Sequence, residues 1–284
     1  MIDRIAVLGA GTMGAGIAYL FALHGREVSL YDPNGEALQA AAKKLAQFEG
    51  GRRDVTGQAE GRGIRLQFTA ELEKAVADAE LIVEAAPEQL EIKRDVYRQL
   101  AGAMRSDAIV ASNTSTFALQ TLAENQPFAG RMVIAHFFNP AHLIPLVEIV
   151  GLPSTPPEVL SKVERLLREC GKAPVVLRRD IPGFIANRLQ AAVMREACYL
   201  LENGIADALQ IDTVMKEGLG LRWAFNGPFE IADLGGLDIW AKVTGHLFPQ
   251  LGTGVEAPES LQALVRNGEL GVKSGKGYYE YEDP

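Results

Sequence analysis

The sequence predicts an α/β fold: a Rossmann-type, doubly wound and mostly parallel sheet, followed by an all-α carboxy-terminal domain. Three features predict it. Short apolar runs alternate with stretches of helical periodicity from residue 4 to about residue 177. The first run passes into a glycine-rich turn that opens a helix, Gly9-Ala10-Gly11-Thr12-Met13-Gly14. From Asp180 onward the strand signals stop and only helical spacing continues. The boundary is expected at Asp180-Ile181-Pro182-Gly183, dividing the chain into residues 1–180 and 181–284.

A chain of 284 residues suits one large or two ordinary domains, and 48% hydrophobic content is ample for a core. The net charge of −8 argues against nucleic acid or an anionic membrane as a partner. Cys170 and Cys198 lack metal-ligand spacing; they read as buried thiols of a reducing compartment, and no metal site is expected. Met1 is followed almost at once by a strand, and no apolar run is long enough to span a membrane, so a cytoplasmic protein is expected.

Residues 4–8 form the first strand. In the helix after the glycine turn, Met13, Ile17, Leu20 and Phe21 share one face. Residues 27–31 give the second strand, which ends at Asp32, eighteen residues after Gly14. Glycines let a backbone approach a pyrophosphate, and a helix N-terminus stabilises its charge. Asp32 can accept hydrogen bonds from adenosine ribose hydroxyls and would repel a 2′-phosphate, which favours NAD over NADP. The competing reading is a structural glycine turn in a flavodoxin-like fold. Residues 33–49 read as a helix, and the glycine-rich segment 50–65 as a flexible arm. From Lys43 to Arg65 there are six basic residues and three acidic ones, a local +3. The arm is therefore either a mobile contact for an anionic ligand or a solvated loop.

Residues 65–68 form the next strand, with a helix start at Thr69-Ala70-Glu71. Strands at 81–84 and 108–111 follow, separated by Ala85-Ala86-Pro87-Glu88 and a helix to about residue 104. The second of them runs into Ser112-Asn113-Thr114-Ser115-Thr116. In a doubly wound sheet, the loops beyond the carboxyl ends of the strands converge on one crevice. Asn113, Ser115 and Asn139 are thus candidates to hold a nicotinamide amide or a substrate hydroxyl; helix capping is the alternative for Ser115 and Thr116. Thr155-Pro156-Pro157-Glu158 reads as a capping box, and residues 173–177 as the last strand. Helices then follow, one on the face of Ile185, Leu189, Ala192 and Val193, and others over 211–218, 229–248 and 258–267.

Residues 132–135 and 146–150 read as two buried strands joined by an apolar turn through Asn139-Pro140. His136 ends the first strand and Glu148 interrupts the second. A charge inside an apolar run is costly without a partner. Adjacent strands would let Glu148 reach His136, fix its tautomer and stabilise its cation, which is what a general base requires. A satisfied core histidine beside an edge glutamate is the alternative.

Taken together, these motifs resemble the L-3-hydroxyacyl-CoA dehydrogenase family, which includes 3-hydroxybutyryl-CoA dehydrogenases. The likeness covers nearly the whole chain. It rests on the Gly9–Gly14 turn, Ser112-Asn113-Thr114-Ser115, His136-Phe137-Phe138-Asn139-Pro140, Asp180-Ile181-Pro182-Gly183-Phe184-Ile185-Ala186-Asn187-Arg188 and Lys273-Ser274-Gly275-Lys276-Gly277-Tyr278-Tyr279. The resemblance implies His136 as the general base, Glu148 as its orienting acid, and Ser115 and Asn187 bonding the reacting oxygen or the neighbouring carbonyl. It implies NAD as cofactor. The contacts would be Gly9, Gly11, Thr12, Met13, Gly14, Asp32, Glu88, Lys93, Asn113, Ser115, Asn139 and Lys273. Residues 1–180 would be the NAD-binding domain, and 181–284 the helical substrate and dimerisation domain of a homodimer. The implied substrate is a small molecule, an L-3-hydroxyacyl-CoA such as 3-hydroxybutyryl-CoA, oxidised by hydride transfer to the 3-ketoacyl-CoA in fatty acid metabolism.

Two departures from the family pattern leave an alternative substrate open beside the acyl-CoA. The arm is shorter than in CoA-using members, glycine-rich, and carries arginines in place of lysines. Ile144-Pro145-Leu146-Val147-Glu148 and Glu217-Gly218-Leu219-Gly220-Leu221-Arg222-Trp223-Ala224-Phe225 are similar to the lambda-crystallin (L-gulonate) and carnitine dehydrogenase branch. Those relatives oxidise a free 3-hydroxy acid without CoA. His142, Arg222 and Trp223 would then shape a carboxylate or ring pocket, ordinary packing and surface charge being the alternative.

Overall fold

The computed structural model describes residues 2–56 and 64–282 of the chain. These form two compact units, Met1–Ile185 and Ala186–Pro284. The first unit is built on an eight-stranded sheet of order β3-β2-β1-β4-β5-β6-β7-β8. The strands are β1 Arg4–Leu8, β2 Glu27–Tyr31, β3 Leu66–Thr69, β4 Leu81–Glu84, β5 Ile109–Ser112, β6 Met132–Phe137, β7 Leu146–Gly151 and β8 Ala173–Val176. All neighbours pair in parallel except β6 and β7. Their apolar runs are continuous because both faces of a parallel sheet are covered; β4, β5 and β6 are buried throughout.

One face is packed by α1 Thr12–Leu23, α2 Gly35–Thr56 and α6 Pro157–Glu169, the other by α3 Leu72–Val76, α4 Leu90–Ala103 and α5 Leu119–Ala123. The helix α1 was expected to bury one face, yet every residue from Gly14 to Ala22 is buried. A helix enclosed on all sides lies deep in a core; here Gly16 also faces Ala141 of the β6–β7 loop, where an added Cβ would stand 3.3 Å from that side chain.

Helix boundaries differ from the sequence reading at several places, and three of these have a plain local description. The helix α2 continues through Gly50 and Gly51 to Thr56. Glycine stops a helix chiefly where it adopts positive φ, and Gly50 does not. The rest of the expected arm, residues 57–63, lies outside the described residues. The expected capping box at α6 does not form: Pro156 is the N-cap, and the Thr155 hydroxyl accepts from Leu152 N–H at 2.9 Å instead. Lastly, the expected helix 229–248 is broken at Gly236 (φ +89°) into two.

The second unit is helical. It comprises α7 Ala186–Glu202, α8 Ala208–Val214 continued by a π turn Met215–Gly220, α9 Leu221–Trp223, α10 Pro228–Gly235, α11 Leu237–Leu247 and α12 Glu259–Arg266. Among its described hydrophobic residues only Cys198 and Ile231 are buried, whereas Phe225, Phe229 and Leu234 are 79%, 86% and 77% exposed. Among the described residues, no helix is long and apolar enough to cross a membrane.

Candidate active site

The glycine turn joins β1 to α1 under tight steric control. Gly9 has φ +104°, and a Cβ there would lie 2.5 Å from the Ala85 carbonyl oxygen. A Cβ on Gly14 would stand only 1.8 Å from the Gly9 carbonyl oxygen. Gly11 faces open space and, like Thr12, is exposed; Met13 is half-buried. The result is an uncovered helix N-terminus that a phosphate can approach closely. Lys44 of α2 reaches this end, its Nζ donating to Thr12 Oγ1 at 3.1 Å. At the tip of β2, Asp32 Oδ2 accepts from Ala10 N–H at 2.8 Å and Oδ1 from Asn34 N–H at 2.9 Å. One lone pair on each oxygen is left for ribose hydroxyls. The residues present therefore fit a dinucleotide.

Antiparallel pairing of β6 and β7 puts His136 directly opposite Glu148. Both are buried, and His136 Nδ1 lies 3.0 Å from Glu148 Oε2. The other carboxylate oxygen accepts from Ile185 N–H at 2.8 Å. Phe138 and Phe184 flank the imidazole, with ring centroids 4.5 and 5.3 Å away. A carboxylate at Nδ1 fixes the tautomer that carries a proton there and leaves Nε2 as the basic atom.

Between these two centres stand the loops after β4 and β5. Asn113 Oδ1 accepts from Phe137 N–H at 2.9 Å, which ties the β5 loop to the residue after the base. Glu88 Oε1 accepts from the Ser115 and Thr116 amides at 3.0 and 3.1 Å and from both threonine hydroxyls, Thr114 and Thr116. Burial opposes the Glu88 charge, but those hydroxyls and the Lys93 ammonium more than offset it and hold the carboxyl at about 2. Ser115 is half-buried. Neither Ser115 nor Thr116 caps a helix, since the N-cap of α5 is Ala118. Lys93 is buried, its ammonium 2.8 Å from Glu84 and 3.1 Å from Glu88. Asn139 is exposed at the start of the β6–β7 loop.

At this end of the sheet, sequence reasoning gave no role to Lys172 or Glu84, and gave His142 one in a carboxylate or ring pocket. Lys172 is buried and donates to the Ala141 and Ile144 carbonyls at 2.6 and 2.8 Å, bracing the β6–β7 loop. His142 stacks on Phe48 of α2 with centroids 4.0 Å apart and meets Tyr19 edge-on. Burial, and then the Lys172 charge, lower the His142 pKa and so favour the neutral form of the stacked ring. Glu84, Tyr97 and Ser112 form a buried cluster under Lys93. The signal for Glu84 was present: it closes the apolar run Leu81-Ile82-Val83 just as Glu148 interrupts its own strand.

The remaining candidates belong to the helical unit. Asn187 is half-buried on α7, Arg222 is exposed on α9, and Lys273 is exposed in the turn Val272–Ser274.

The family model "3-hydroxyacyl-CoA dehydrogenase, NAD binding domain" matches residues 4–181, and "3-hydroxyacyl-CoA dehydrogenase, C-terminal domain" matches residues 183–281. The chain is 39% identical over 268 residues to an L-carnitine dehydrogenase of Streptomyces griseus, a match covering 93% of this chain and 80% of that one. It is similar to the solved structure of an NAD+-dependent 5-formyl-3-hydroxy-2-methylpyridine 4-carboxylic acid 5-dehydrogenase, with TM-score 0.93, 36% identity, and 99% and 91% of the two chains covered. It is also similar to 3-hydroxybutyryl-CoA dehydrogenase from Escherichia coli K12, with TM-score 0.81, 34% identity, and 100% of this chain and 60% of that one covered.

Proposed function

The chain belongs to the 3-hydroxyacyl-CoA dehydrogenase family, and from that premise we propose that it oxidises the hydroxyl of a small, free 3-hydroxy acid that carries no CoA. The reading of the chemistry rests on one observation, the buried His136–Glu148 pair at 3.0 Å. The protein is an NAD-dependent oxidoreductase; when bound, the dinucleotide accepts the hydride. His136 Nε2 takes the hydroxyl proton as the carbonyl forms, and the Glu148 carboxylate stabilises the imidazolium. Ser115 and Asn187 are assigned to the reacting oxygen, and Arg222 to the substrate carboxylate. The turn Gly9–Gly14 and Asp32 hold the adenosine half of NAD. Glu88, Asn113, Ser115 and Asn139 serve the other half, with Lys93 acting behind Glu88 and Lys273 as a further contact from the helical unit.

Of the two substrate classes expected from the sequence, the free acid is the better supported. The L-carnitine dehydrogenase likeness spans 93% of the chain. The pyridine-carboxylate enzyme superposes at TM-score 0.93, against 0.81 for the CoA enzyme. A substrate panel tests the choice: L-carnitine, L-gulonate and 3-hydroxybutyrate against 3-hydroxybutyryl-CoA, each with NAD+. Turnover of a free acid with little or none of the thioester is expected. Turnover of the thioester alone would overturn the free-acid reading, and no turnover of any of them the 3-hydroxy-acid reading as a whole. The exposed apolar side chains of the helical unit further support a homodimer.

A further inference from the structure

Beneath the loop that carries Ser115 lies a carboxylate that the proposed reaction does not use. Glu84 ends β4 and is completely buried. Its Oε1 accepts from the Ala86 amide and from Lys93 Nζ, both at 2.8 Å. Its Oε2 accepts from the Tyr97 and Ser112 hydroxyls, both at 2.7 Å. Four donors match the four lone-pair sites of a carboxylate. Burial, and then the Glu84 charge, push the Tyr97 hydroxyl well above its ordinary pKa, so it remains a donor.

Lys93 carries this arrangement to the crevice. Its buried ammonium lies between Glu84 Oε1 and Glu88 Oε2. Glu88, in turn, gathers the Ser115 and Thr116 amides on its other oxygen. Lysine is a flexible point charge, and a single exposed glutamate would hold it loosely; a second acid, fixed by three other donors, takes that freedom away. We infer that Glu84 is the positioning residue for Ser115, acting through Lys93 and Glu88 to hold the 113–116 loop in place. A carboxylate that served only packing would need no ionic path to a surface loop. The inference rests on the assignment of Ser115 to the reacting oxygen.

Glu84→Gln keeps the volume and turns one acceptor into a donor facing other donors. Amide exchange of Ser115 and Thr116 is expected to quicken by about tenfold, while the amides of β1 and β2 keep their protection. With the fastest substrate of the panel, kcat is expected to fall about tenfold and KM for NAD+ to stay within about threefold. Ser115→Ala also lowers kcat, and the double variant is expected to be no slower than Ser115→Ala alone, because the two residues act in series. Tyr97→Phe removes one of the four donors at little risk to folding and, because the Tyr97 hydroxyl donates to Glu84 and not to the 113–116 loop, gives the same pattern at smaller amplitude; it decides the matter if Glu84→Gln does not fold. Unchanged Ser115 and Thr116 exchange would overturn the inference. So would kcat losses that multiply in the double variant. A Ser115→Ala enzyme at the wild-type rate would overturn the assignment of Ser115 itself, and the positioning role with it.

Discussion

The His136 ring is held by its backbone register, its acid and two phenylalanines, so its substitution should act on chemistry and not on folding. His136→Gln is expected to keep NAD+ binding and to lower turnover by ~10²–10⁴. Steady-state rates beside a dinucleotide titration check this, and a near-normal rate would remove His136 as the base. Gly14→Ala forces a Cβ to 1.8 Å from a backbone oxygen; the expected result is loss of dinucleotide binding, read by titration, with or without loss of the fold. Both pairs of interest, His136 with Glu148 and Lys93 with Glu84, obey one rule: a charge in an apolar run requires a partner. Glu148 was legible because it sits inside its strand. Glu84 ends its strand, where an acid reads equally well as a loop residue, and its partner comes nine positions later on a helix. Lys172 and the His142–Phe48 stack were illegible for a different reason. They join segments far apart in the chain, and nothing in their local spacing announces the contact.

At the level of elements, one carboxylate from the loop after β4, Glu88, gathers two amides and two hydroxyls of the loop after β5. The Glu88 pKa is lowered from 4.5 to about 2. A depressed carboxylate contributes stability that is present above its ordinary value and lost as pH falls through the folded one. Protection of the Ser115 and Thr116 amides is therefore expected to persist below pH 4.5 and to fade toward pH 2. In Glu88→Gln that dependence should vanish, as amide exchange across this window will report; an unchanged profile would count against the Glu88 clamp. The strands were read almost to the residue because a sheet buried on both faces writes continuous apolar runs. Helix ends were harder. Whether Gly50 continues a helix while Gly236 breaks one depends on φ, which the residue type permits but does not dictate. Thr155 could have capped α6, but its hydroxyl found the nearer Leu152 amide.

For the molecule as a whole, the helical unit leaves most of its apolar side chains uncovered. Sedimentation is expected to give twice the 30.7 kDa of one chain. Introducing a charge at 86%-exposed Phe229, as Phe229→Asp, tests whether that surface carries the association; a monomer at all concentrations for the unaltered protein would rule out the homodimer. The order of motifs made the family and the crevice readable. The substrate class was not fixed in the same way, because the shared catalytic motifs are compatible with a thioester and with a free acid alike.

One consequence follows for how this chain can vary. Residues 136 and 148 face each other by ladder pairing, with period two along each strand. Additions or deletions confined to the connecting bend leave the two opposed. A slip of a single position in the ladder turns the acid to the opposite side of the sheet and strips the imidazole of its counter-ion, without removing one reactive atom. Lineages descended from this protein should keep the rungs on either side in step, whatever else changes around them.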